Sequence, residues 1–206
     1  MKNTSISTPE TTNRPARKIR AALVGILILL AYTMLIYDAT GNVPFGSAAD
    51  IISGLAVIGI AVLMFPLFRT DRSGAANDSA RNNVLNSAYL FSKLVEGVLM
   101  IAGGICILSE STKDYRALIY ANFHIYFFIA GALLFYLILF RTRLVPRFLS
   151  VWGLAASVIL LAVTGLGLAG IKHVILDAML MPIVANEVVL AIWLMVKGFS
   201  SKRTKY

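Results

Sequence analysis

Between Asn86 and Gly104 the chain reads NSAYLFSKLVEGVLMIAGG, an apolar run interrupted by Lys93 and Glu96. A charge near the centre of a bilayer costs about 2.5–3.5 kcal/mol on insertion scales, so a spanning helix that carries two needs partners for them. The composition argues that this run does span. Hydrophobic residues make up 58% of the 206 and charged residues only 14%, where a soluble domain carries about 25% charged residues.

The apolar residues fall into six blocks, near Ile19–Tyr37, Ile51–Phe68, Val84–Leu108, Ala117–Phe140, Val151–Ala169 and Ala178–Val196. Each is long enough to cross a hydrocarbon core of about 30 Å. The predicted fold class is all-α, an integral membrane bundle of six transmembrane helices over residues 18–199. A disordered tail is expected over 1–17 and a basic tail over 200–206. A signal peptide is the rival reading of the first block. That block is longer than the apolar region of such a signal and no small-x-small cleavage site follows it, so it is read as a retained helix.

The formal charge of +9 is distributed unevenly. With the N-terminus in the cytoplasm, fifteen lysines and arginines lie inside and only Lys113, Arg116 and Lys172 outside, with Lys93 in the membrane. That asymmetry predicts cytoplasmic termini at both ends. It favours anionic lipid headgroups as partners and marks no nucleic-acid-binding face. A single cysteine, Cys106, leaves no internal disulfide and no cysteine-based metal site. Two histidines, His124 and His173, are too few for a multi-histidine zinc centre. The chain lacks a P-loop, a dinucleotide fingerprint and a haem-attachment motif. No catalytic residue, metal or cofactor is assigned.

Asp38–Asp50 reads as an outer loop built on Gly41-Asn42, Pro44 and Gly46, with Asp50 placed to cap the second helix. Arg69–Asn83 reads as a polar inner loop. Tyr37, Phe68, Tyr136, Phe140 and Trp152 are among the aromatics expected in an interfacial belt. Two short echoes, Glu96–Ile101 with Glu187–Ile192 and Leu67–Thr70 with Leu139–Thr142, would demand different internal symmetries.

Depth follows from a rise of about 1.5 Å per residue: Lys93 and Glu187 lie about 13–14 Å below their nearer faces, Glu96 about 18 Å and His124 about 10 Å. A lysine that deep cannot easily snorkel to an interface. Lys93 and Glu96 are spaced to face each other, which leaves Glu187 over. Lys93 could bridge both glutamates, His124 could take one, or one glutamate could hold a proton. A water-filled cavity lined by these groups with Tyr120, Asn122, Tyr126 and Asn186 is equally consistent with the spacing. Three functional readings stay open: a site for a small molecule, lipid or ion; a network that only fixes helix packing; and an intramembrane enzyme.

The inner turn Arg141-Thr-Arg143-Leu-Val-Pro146-Arg147-Phe-Leu-Ser-Val-Trp152-Gly153, preceded by Tyr136, resembles a bacterial membrane family catalogued as domain of unknown function 4386. Lys93-Leu-Val-Glu96 is similar to that family's Arg-x-x-Glu, with lysine standing for arginine. Pro182-Ile-Val-Ala-Asn-Glu187 is similar to its last-helix Pro-Ile-x-x-x-Glu. The resemblance covers about residues 19–199. It implies a multi-pass protein of the bacterial cytoplasmic membrane, carries no activity, and adds weight to Lys93, Glu96 and Glu187.

Overall fold

The computed structural model describes residues 13–69, 76–171 and 178–200. The first span is α1 (Asn13–Ala31), a 3₁₀ turn (Tyr32–Met34) and α2 (Leu35–Thr40). The second and third are α3 (Val43–Arg69) and α4 (Ala76–Cys106). The fourth runs from α5 (Lys113–Ile119) through a π-helical turn (Tyr120–His124) into α6 (Ile125–Thr142), and the last two are α7 (Arg147–Leu168) and α8 (Met181–Val196). Among the described residues five spans are long and apolar enough to cross a membrane, and α8 is a shorter apolar helix. The expected all-α membrane bundle of six helices is what the chain forms.

Each span packs on the next in sequence, and α8 packs back on α1, so the six close into a ring. Small residues set the tightest contact, between α3 and α4. A Cβ on Gly54 would stand 2.5 Å from the Gly97 carbonyl oxygen and 2.7 Å from Ile101 Cγ1. Gly54→Val is therefore expected to push these helices apart at a cost of about 1–3 kcal/mol, read as a lowered melting temperature in detergent. Polar straps join the neighbours: Thr33 and Ser53 hydroxyls 2.9 Å apart, Asn86 Nδ2 donating to the Phe65 carbonyl, and Ser92 Oγ donating to that of Phe127.

The core is aromatic. Phe68, Tyr89, Phe135 and Tyr136 pack with successive ring centroids 5.4, 5.7 and 5.3 Å apart. Phe68 and Tyr136 are thus buried inside the ring rather than in the expected belt. The Tyr136 ring fills the space that a side chain at Gly153 would need.

Two predicted loops contract. The first connection is only a turn at Gly41-Asn42, where left-handed Gly41 (φ 63°) donates its N–H to Tyr37 O. Pro44 then sits in the first turn of α3, where no intrahelical N–H is needed. Gly46 lets the helix pass against the Tyr37 ring. Asp50 consequently lies two turns inside α3 and is no cap, because the helix starts before the Gly/Pro cluster ends. At the opposite end α4 begins at Ala76, within the expected inner loop, and residues 70–75 lie outside the described set. The expected tail is described only from residue 13, already helical in α1; 1–12 and 201–206 lie outside, as does His173.

The motif at the basic end makes a docking point. Arg143 (φ 52°) ends α6, its N–H on Leu139 O at 3.0 Å, and Pro146 opens α7. Leu144 and Val145 turn inward. The Ser200 N–H bonds the Leu144 carbonyl at 2.8 Å, and Arg17 Nη2 bonds the Ser200 carbonyl at 2.8 Å. Arg147 lies 5.7 Å over the Phe140 ring, Arg141 and Arg143 stay exposed, and Trp152 packs half-buried on the core.

Candidate functional site

A cavity of about 50 Å³ lies on the axis of the ring, lined from five of the six spans. Ile28 and Ala31 come from the first, Val57 and Ile60 from α3, and Tyr89, Lys93 and Glu96 from α4. Phe128, Ala132 and Phe135 of α6 and Glu187 and Leu190 of α8 complete it. Lys93 Nζ bonds Glu96 Oε2 at 2.8 Å, with Glu96 only 1% exposed. The lysine reaches this position because residue 131 is glycine: a Cβ there would stand 2.8 Å from Lys93 Cε. The Phe128 ring, 5.1 Å from Nζ, adds a cation–π contact.

Glu187 enters from the far side. Its carboxylate accepts a 2.8 Å hydrogen bond from the Tyr32 hydroxyl, supplied by the 3₁₀ turn, and it keeps part of its surface open. Three charged side chains read from the sequence, Lys93, Glu96 and Glu187, therefore share one chamber. The short contact of Lys93 is with Glu96, so two carboxyls face one cation. No serine, threonine or cysteine is among the described residues of the chamber wall. Among the described residues no group of three or more His, Cys, Asp or Glu could hold a metal ion.

The other three polar residues lie elsewhere. Asn186 is buried between α8 and α7, its Nδ2 on Leu149 O at 3.1 Å. Asn122 is exposed and bonds back to Leu118 O. His124 is buried in the π turn, packed between Tyr120 (4.7 Å, tilted) and Phe128 (6.3 Å, stacked), with Nε2 unbonded among the described residues.

A second charged cluster was not recognised in the sequence. Arg116 is 5% exposed and Asp50 fully buried. Arg116 Nε and Nη2 bond both oxygens of Asp50 at 2.7 and 3.2 Å. Nη1 bonds Asp38 at 2.8 Å, and Nη2 also reaches the Met34 carbonyl at 3.1 Å. The guanidinium is held between the Tyr37 and Tyr120 rings, 4.8 and 4.6 Å from their centroids. This planar fork answering two carboxylates is a geometry lysine cannot supply. Beside it opens a vestibule of about 690 Å³ between Asp38 of α2, residues 116, 117, 120–122, 125 and 126 of the fourth span, and Thr164, Gly167 and Leu168 of α7. Its wall includes the π turn, an irregularity frequent at functional sites.

Arg116, Tyr120, His124 and Phe128 recur every fourth residue, so one stripe runs from the Arg116 cluster to Lys93. That spacing was the available signal.

Comparison with curated proteins and with solved structures gives no match. The family model described as domain of unknown function (DUF4386) matches residues 29–198, from the first span to the end of the last. Because that match takes in most of the chain and every charged residue of both clusters, the protein belongs to the family of domain of unknown function DUF4386.

Proposed function

We propose that the chain is a multi-pass protein of a bacterial cytoplasmic membrane, with both termini inside, that takes up and releases one positive charge at Glu187. The charge is a proton or a small monovalent cation. The observation that carries the reading is the imbalance in the chamber, where Lys93 is paired with Glu96 while, among the described residues, Glu187 has only the Tyr32 hydroxyl as a hydrogen-bond partner. Uncompensated charge at that depth is costly, which favours filling the vacancy. A volume of about 50 Å³ suits one or two waters and excludes an organic molecule. The excess of lysine and arginine at the Arg17–Arg143 end supports the orientation.

Infrared difference spectra of the full-length protein between mildly acidic and alkaline buffer test the proposal. Wild type is expected to show a protonated-carboxyl band that disappears on alkalinisation, or at constant pH on adding sodium. Glu187→Gln is expected to lack it, and Tyr32→Phe to keep it at a shifted frequency because one hydrogen bond is gone. If the network only fixed helix packing, no such band would titrate, and wild type and Glu187→Gln would melt alike at both pH values. That result would end the proposal.

A further inference from the structure

Arg116 answers two carboxylates, so its cluster carries one surplus negative charge among the described residues. The surplus is presented by Asp38. Asp50 is sealed from every side, whereas the Asp38 side chain is 60% exposed and stands on the vestibule wall. Ile125 and Leu168 offer apolar surface beside it, Tyr120 and Tyr126 aromatic surface, and Asn122 an amide.

We infer that the vestibule binds an organic ammonium ion, with its charged head on Asp38 and its carbon body along Ile125 and Leu168. Charge complementarity sets the sign of the ligand. An anion would meet the free face of Asp38, while the Arg116 guanidinium is already committed to carboxylates and covered by two rings. A bare divalent ion would need about six oxygen ligands, far more than one accessible carboxylate and an amide provide. An ammonium on a carbon chain needs one counter-charge, aromatic faces and an apolar wall, all of which are present. The volume of about 690 Å³ lies within the range for small-molecule sites. The same chemistry is offered by the headgroup of phosphatidylethanolamine and by a free alkylamine.

The test uses the full-length protein in non-ionic maltoside micelles, with dodecylamine and dodecanol as probes and binding read by isothermal titration calorimetry. Dodecylamine is expected to bind about tenfold more tightly or better, a margin set by the head alone. Gly167→Phe sets a bulky ring on the vestibule wall, at a position where a Cβ meets nothing within 4 Å. That variant is expected to melt like wild type and to lose the preference for the amine. Asp38→Asn is expected to lose it as well, and Glu187→Gln to keep it, which separates this inference from the chamber reading. Phosphatidylethanolamine added to the micelles distinguishes the sources. Displacement of dodecylamine identifies the lipid headgroup, and its retention a free amine; both outcomes support an ammonium site. Equal binding of amine and alcohol by wild type, or an undiminished preference in Gly167→Phe, would overturn it.

Discussion

Arg116→Ala is expected to destabilise the protein by about 3–5 kcal/mol, because it leaves the carboxyl of Asp50 buried without its cation. Unfolding in a denaturing detergent titration would measure it. Arg116→Lys is expected to recover only part of the loss, since an ammonium cannot fork across two carboxylates. Asp38→Asn should cost less than about 1 kcal/mol, its side chain being largely in solvent. The double variant Arg116→Met with Asp50→Leu is expected to regain most of the stability, because no orphaned charge remains. A mild effect of Arg116→Ala alone would show that water reaches Asp50.

Lys93→Met is expected to be as damaging, at about 3–5 kcal/mol, because Glu96 is almost wholly enclosed. Adding Glu96→Gln to it should restore most of the loss, whereas Glu96→Gln by itself strands the lysine. The coupling energy of that cycle measures the pair directly. If the three variants lost stability additively, Lys93 and Glu96 would be answering other groups.

The membrane bundle was legible because six long apolar blocks permit little else, and Lys93, Glu96 and Glu187 stood out as charges inside them. Depth along a helix follows from counting residues, so the three could be placed at one level. Direction around a helix does not, which is why Asn186, next to Glu187 in the chain, faces α7 and not the chamber. Arg116 and Asp50 were harder to see. Both lie at block ends, where charge is ordinary, and Gly41, Pro44 and Gly46 made the first connection look longer than it is. Pro44 starts a helix and Gly46 makes room for Tyr37, so residues that usually break structure here extend it. The π turn had no sequence signal, and with it went the position of His124.

A ring in which α8 packs on α1 is completed only once α8 has been made. During insertion Lys93 and Glu96 can find each other early, being neighbours on one helix. Tyr32 must wait for Glu187, 155 positions later, and Arg17 for Ser200, 183 positions later. Chains truncated before α8 should therefore enter the bilayer yet stay open along the seam between α1 and α7, with the chamber exposed to acyl chains or water. Such a half-built barrel is the form that a membrane quality-control protease would meet.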